Sequence, residues 1–216
     1  MADHIVTAFD DDIEALKRNI ALMGGLAEEH LAAAIDALVR NDLDLADKVI
    51  ADDVKIDDLE RDTEEKAVLT IAKRQPMASD LREIMVSIRI ASDLERVGDL
   101  AKNIAKRCHA LSDDRPTAII TGMRSMGKLA QTQLKDVLDA YIQRDAAKAK
   151  QVWVEDEELD AMYNSVFREL LTYMMEDPRN IGFCTHLLFG AKNIERIGDH
   201  ATNIAENVHY LVHGVV

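Results

Sequence analysis

Apolar residues recur at Phe9, Ile13, Leu16, Ile20, Met23, Ala27, Leu31, Ala34 and Leu38, in steps of three and four. That period lays one stripe along a helix, so a long amphipathic helix is predicted through this stretch. Gly24-Gly25 falls inside it and predicts a bend, because glycine costs roughly 1 kcal/mol in a helix interior. Asn41-Asp42 supplies a break and an N-cap for a second helix, from about Leu43 to Arg74, which Gln75-Pro76 stops. Pro76 then stands near the start of a third, with Ser79 and Asp80 suited to its N-terminal end and a finish near Leu111. Ser112-Asp113-Asp114-Arg115-Pro116 reads as a polar hinge. Beyond it the order repeats, with helices from about Ala118 to Tyr141, Asp145 to Met175 and Ile181 to Val212, the last two parted by Asp177-Pro178. Only 3 Pro and 9 Gly punctuate the chain, and no run alternates β-branched with polar residues. The expected fold is all-α, as two tandem three-helix bundles over residues 1–112 and 116–216.

The repetition extends to polar letters. Ile88 to Leu111 reads IRIASDLERVGDLAKNIAKRCHAL, and Leu188 to Leu211 reads LFGAKNIERIGDHATNIAENVHYL. Glu95/Glu195, Arg96/Arg196, Gly98/Gly198, Asp99/Asp199 and Asn103/Asn203 are identical in register. Packing alone would repeat the apolar positions and has no need of a repeated Glu, Arg, Gly, Asp and Asn. A tandem duplication with a carboxylate site in each half accounts for both.

Helical geometry sharpens that expectation. Residues i and i+4 share a face, so Glu95 pairs with Asp99 and Glu195 with Asp199. The preceding helices carry the same spacing at Asp53/Asp57 and Asp156/Asp160. Asp57 lies 19 residues before Pro76 and Glu95 lies 19 after it; in the second half the arms about Pro178 are 18 and 17. Antiparallel helices of equal arms set Asp57 level with Glu95 and Asp53 level with Asp99, and likewise Asp160 with Glu195 and Asp156 with Asp199. Asp156 and Asp160 also continue the stripe Tyr163, Phe167, Leu170, Met174, which predicts that they lie inside or at a groove edge. Four anions so close repel unless they are protonated, paired or bridged by cations. An oxygen-rich cluster points to divalent metal in at least one half. Gly98 and Gly198 fit a close approach of the neighbouring helix, and Asn103 and Asn203 could add a carbonyl ligand or a supporting bond. Arg96, Arg196, Lys102 and Lys106 offer the plainer alternative of ordinary salt bridges.

Charge and composition then exclude several classes. Forty Asp and Glu against 26 Lys and Arg leave a formal charge of −14, which repels phosphate backbones, so no nucleic-acid partner is expected. Cys108 and Cys184 form no disulfide framework, which fits a reducing compartment. No apolar run approaches the ~18 residues of a membrane span, and no signal peptide is visible, so a cytoplasmic protein without direct membrane insertion is expected. Glu206-Asn-Val-His209 has the ExxH spacing of di-iron bundles but is not duplicated, and a helix-end role suits His209 better. No HExxH, phosphate-binding glycine loop or nucleophile elbow occurs. No residue is expected to be catalytic.

With ERVGDLAKNIA, ERIGDHATNIA and the segment Gln75-Pro76-Met77-Ala78-Ser79-Asp80-Leu81-Arg82 in view, the chain resembles the PhoU family, of which that segment matches a QPxAxDLR pattern. The second half reads DPRNIGFCTHLL instead, so Asp80 and Arg82 have no counterpart there. The resemblance implies a cytoplasmic, non-enzymatic, homodimeric regulator of phosphate uptake. It implies an adaptor that couples the phosphate ABC transporter ATPase to a sensor histidine kinase and restrains the phosphate-starvation response. It further implies metal, iron or zinc above all and manganese or magnesium otherwise, at the motif positions Asp53, Asp57, Glu95, Asp99, Asp156, Asp160, Glu195 and Asp199. A carboxylate-bridged multinuclear metalloenzyme, either an oxidase or a phosphatase, stands as the alternative, and a passive metal store is disfavoured by the small number of sites.

Overall fold

Among the described residues seven α-helices carry the apolar stripes into a core shared by both halves. The computed structural model of the chain describes residues 2–111 and 116–214, with side chains from residue 9 onward. The helices are α1 (Ala2–Arg40), α2 (Leu43–Asp52), α3 (Val54–Arg74), α4 (Ala78–Cys108), α5 (Thr117–Gln143), α6 (Ala146–Glu176) and α7 (Ile181–His213), with a 3₁₀ turn at Pro178–Asn180 before the last. No strand occurs among the described residues. The hinge expected at Ser112–Pro116 lies, apart from Pro116, outside them.

Local chemistry explains most of the boundaries. Asn41, Gln75, Arg144 and Gly214 take positive φ just past helix ends, the left-handed geometry that closes a helix. Asp42 then accepts a bond from the Leu45 amide at 3.0 Å, and Asp145 from those of Ala147 and Lys148 at 2.9 and 3.0 Å, so both halves restart with an aspartate N-cap.

Two expectations change. α1 runs unbroken through Gly24-Gly25, and Gly24 instead admits a neighbour: a Cβ there would lie 2.8 Å from Leu138 of α5. Packing, and not bending, is what that glycine serves. The helix predicted as Leu43–Arg74 is two helices, parted at Asp53. The Ile56 amide bonds back to the Asp53 carbonyl at 2.9 Å, a tight i+3 turn where regular winding would use i+4. With no glycine or proline nearby, nothing in the sequence marks that break.

α1, the α2–α3 pair and α4 form one bundle, and α5, α6 and α7 the other; α4 against α7 and α1 against α5 join them. The predicted stripe of α1 is buried from Ile13 to Leu38. Ala91, Ala101, Ala105, Ala191, Ala201 and Ala205 line α4 and α7 on their buried faces, where small side chains let the central helices approach closely. One apolar core spans both bundles, with a small satellite of Ile13, Leu16, Ala67 and Ile84 at the far end of the first. Truncating a large member such as Ile90 or Leu94 to Ala costs about 2–5 kcal/mol. Such a scaffold holds the carboxylates of α2–α3 and α4, and of α6 and α7, at fixed heights.

Candidate functional site

In the first half the break between α2 and α3 coincides with a buried aspartate. Asp53 is 2% exposed and packs on Gly98, where a Cβ would lie 3.2 Å from Asp53 Oδ1 and 2.9 Å from Ile56 Cδ1. Lys102 reaches in from α4 and donates to Asp53 Oδ2 at 2.5 Å and to Asp99 Oδ1 at 3.1 Å. The bond to Asp53, aided by that to Asp99, holds the ammonium pKa above its ordinary value. Lys102 is thus a cation built into the cluster. Arg96 adds a guanidinium nitrogen 3.5 Å from Asp99 and another 3.2 Å from Glu95 Oε2. The second contact is near but outside hydrogen-bond geometry, so Glu95 Oε2 is buried without a bonding partner in the protein. Burial pushes the Glu95 pKa up; Arg96 opposes the shift, and Asp99, Glu60 and Asp57 add to it. Glu60, which the i, i+4 rule does not pick out, belongs to this group, and its own pKa is raised by burial and by Glu64.

The second half has the same frame with different contents. A Cβ on Gly198 would lie 2.6 Å from Asp156 Oδ1 and 2.5 Å from Leu159 Cδ2, so each repeated glycine makes room for the buried-side aspartate of the preceding helix. Position 202, the counterpart of Lys102, is threonine, and its hydroxyl donates to the Asp199 carbonyl at 2.7 Å. Among the described residues no lysine or arginine forms an ion pair with Asp156 or Asp199. Burial pushes the Asp156 carboxyl up to about 6, and Asp160, Asp199 and Glu195 all push the same way. Glu195 is 9% exposed; Lys192 donates to its Oε1 at 2.6 Å, while Oε2, 2.5 Å from the same ammonium, is out of bonding geometry and buried.

The eight predicted positions therefore come within electrostatic reach of one another in their two groups. Among the described residues, however, no three His, Cys, Asp or Glu side chains stand positioned to hold a metal ion as they are. Uncompensated anions splay apart, and in the first half Lys102 separates Asp53 from Asp99. The inward reading of Asp156 and Asp160 is also half corrected. The buried stripe of α6 is Val152, Leu159, Val166 and Leu170; Asp156 is half-buried beside it and Asp160 is exposed. Around the helix Leu159, Val166 and Leu170 lie to one side of Asp156 and Asp160 to the other, so the buried face passes beside Asp156 and turns away from Asp160.

Two residues that inspection of the motifs passes over lie against these clusters. His30 on α1 is 4% exposed, its Nδ1 has no bonding partner in the protein, and burial holds its pKa down against the pull of Asp53. Gln133 on α5 is 0% exposed, and neither its Oε1 nor its Nε2 has a partner. Its Oε1 lies 3.3 Å from the point beside Gly198 that is 2.6 Å from Asp156 Oδ1. His30 and Gln133 are equivalent: they stand 103 residues apart, as do Asp53 and Asp156, Ile56 and Leu159, and the two aspartate caps. The available signal was a polar letter at three-and-four spacing in an apolar stripe, His30 between Ala27 and Ala34 and Gln133 between Ala130 and Val137.

The remaining candidates do other work. Asn203 donates to Asp93 Oδ1 at 3.3 Å and His200 Nδ1 stands 2.9 Å from the same oxygen, so both tie α7 to α4 and neither joins the carboxylates. Position 203 faces the other bundle. Arg82, with Arg89, lies over the Tyr210 ring at 5.4 and 5.7 Å, which fixes the QPxAxDLR segment against the end of α7. Cys108 and Cys184 are buried and not joined in a disulfide, and His209 is exposed near the end of α7 beside His213. No helix among the described residues is long and apolar enough to cross a membrane.

Fold and repeated clusters define a class of duplicated helical bundle with a carboxylate group in each half. The PhoU domain model matches residues 20–108 and 123–208, and the chain belongs to the PhoU family. It is 61% identical over 98% of its length to a phosphate-specific transport system accessory protein PhoU homolog of Rhizobium meliloti, covering 90% of that protein. A homolog of the same description from Caulobacter vibrioides is 50% identical over 99% of this chain and 94% of its own. The crystal structure of PhoU from Pseudomonas aeruginosa superposes with a TM-score of 0.91 at 39% identity, over 96% of this chain and all of that one. The phosphate transport system regulatory protein PhoU from Streptococcus pneumoniae gives 0.89 at 30% identity, over 96% and 98%.

Proposed function

We propose that this chain is a regulatory accessory protein of phosphate transport. The observation that carries the reading is the match to the Rhizobium meliloti accessory protein at 61% identity over nearly the whole of both chains. It acts as a cytoplasmic adaptor, a homodimer, that engages the ATPase of the phosphate ABC transporter and a sensor histidine kinase and restrains the starvation response when phosphate is plentiful. A rigid scaffold suits that role, since the long helices fix two polar clusters in one frame. Those relatives are named as accessory or regulatory proteins and none by an enzymatic activity, so a metalloenzyme is not proposed.

Divalent metal, iron or zinc first and manganese or magnesium otherwise, belongs to at least one of the two groups, Asp53, Asp57, Glu95 and Asp99 or Asp156, Asp160, Glu195 and Asp199. The fit rests on buried carboxylate oxygens at Glu95 and Glu195 that make no hydrogen bond and are met only by the neighbouring Arg96 and Lys192 charges, and on the burial and mutual repulsion that raise the Asp156 pKa. A bound cation would supply charge neutralisation that lets these groups converge.

The test is direct binding of the purified chain to the transporter ATPase and to the kinase of its own host, by interferometry in the presence and absence of added metal. Saturable binding to at least one supports the adaptor. Binding to neither, by folded and metal-supplied protein, overturns it.

A further inference from the structure

The two carboxylate groups share one backbone frame and differ in what fills it. In the first half the Lys102 ammonium sits between Asp53 and Asp99, bonded to both. In the second half position 202 is threonine and turns its hydroxyl to the main chain. There the space beside Gly198 is bordered by Asp156 Oδ1 and Gln133 Oε1, which are no more than about 6 Å apart, being 2.6 and 3.3 Å from a common point. Glu195 acts electrostatically on Asp156, and its buried Oε2 makes no hydrogen bond, only an ion pair with the Lys192 ammonium. Gln133 is fully buried with both polar atoms unpartnered, and leaving such an amide unsatisfied is costly unless something pairs with it.

We propose that the duplicated sites have divided their roles: the second takes one divalent cation on Asp156, Glu195 and Asp199 with Gln133 Oε1 as a neutral fourth donor, and the first is closed by Lys102 acting as its own cation. The proposal deepens the metal reading above and rests on it. Carboxylates and an amide carbonyl make an all-oxygen donor set, suited to manganese or magnesium and open to iron or zinc. Lys192, on the outer side of Glu195, is 2.5–2.6 Å from its two oxygens and must yield or share that carboxylate when the cation enters. In the first half His30 replaces Gln133. Its neutral imidazole and the fixed ammonium leave no comparable vacancy of charge beside Asp53.

The experiment is a Mn²⁺ titration of the full chain, stripped by chelator, with bound metal counted by elemental analysis after dialysis and folding followed by circular dichroism. Wild type takes up about one ion per chain, and Asp156→Asn abolishes that uptake. Gln133→Met, close in shape and apolar, weakens Mn²⁺ binding about 10-fold or more, as loss of a supporting ligand does, while raising the melting temperature of the metal-free protein because the orphaned amide is gone. A merely structural glutamine would not move the affinity. Lys102→Thr, which makes the first half resemble the second, raises the capacity toward two. Two ions on the wild-type chain, or a Gln133→Met variant that binds as tightly as wild type, overturns the division of roles and leaves the metal reading standing. No uptake by folded wild type overturns both.

Discussion

Lys102 on α4 spans the first bundle to the buried Asp53, 2.5 Å away at the break between α2 and α3. Few polar contacts in the chain are so enclosed, and a buried ion pair is costly to break from one side because the surviving charge keeps its desolvation penalty. Lys102→Met should therefore destabilise the protein by about 2–3 kcal/mol, below the roughly 3–5 kcal/mol of a fully buried pair because the lysine is a quarter exposed. Urea denaturation at neutral pH measures it. Lys102→Met/Asp53→Leu should recover most of the loss, since an apolar pair leaves no orphan.

Asp156 has the opposite sign. Its folded pKa, about 6, stands above the ordinary 3.8, so the folded state binds the proton more tightly than the unfolded chain. The ionised carboxylate costs stability at pH above 6, and the cost is relieved as pH falls from 6 toward 4. Asp156→Asn should stabilise the metal-free protein by about 1–2 kcal/mol at pH 8, a figure discounted for partial exposure. At pH 4 the gain should shrink toward zero. Urea midpoints at the two pH values decide the matter, and a gain that grows on acidification would contradict the account.

The paired glycines can be ranked. A methyl on Gly198 meets Leu159 and Asp156 at 2.5 and 2.6 Å, whereas on Gly98 it meets a flexible Ile56 methyl at 2.9 Å and Asp53 at 3.2 Å. Overpacking costs about 1–3 kcal/mol, and helix propensity returns roughly 1 kcal/mol for Ala over Gly. Gly198→Ala should lose about 2 kcal/mol by thermal or urea unfolding, and Gly98→Ala should lie within about 1 kcal/mol of wild type.

His200 and Asn203 both meet Asp93 across the junction of the bundles. Asp93→Ala removes the shared acceptor and should cost about 1–2 kcal/mol. Hydrogen exchange should register the loss mainly along the facing turns of α4 and α7.

How far these features were legible varies with their physical origin. The buried face of α1 could be read from Ile13 to Leu38 because helix period and core exposure are one phenomenon. The duplicated carboxylates, and the glycines that admit them, stood out because packing gives no reason to repeat polar letters. The break at Asp53 was hidden: it lies in the run IADDVKIDD, where Asp and Val weaken the helix only mildly and no glycine or proline stops it, and it coincides with the burial of one carboxylate. Lys102 opposite Thr202 was visible as a difference, but only coordinates show that the ammonium points inward and not to solvent. His30 and Gln133 escaped because comparison of α4 with α7 uses an offset of 100 residues, while their helices repeat at 103. Polar residues in an apolar stripe were the missed sign.

The most direct test of the regulatory role is expression of a phosphate-starvation promoter in the host organism, measured in phosphate excess. Deleting the gene should release the promoter, wild-type protein supplied in trans should silence it again, and Asp156→Asn/Glu195→Gln, folded and equally abundant, should restore repression only weakly. A promoter that stays silent after deletion would contradict the account.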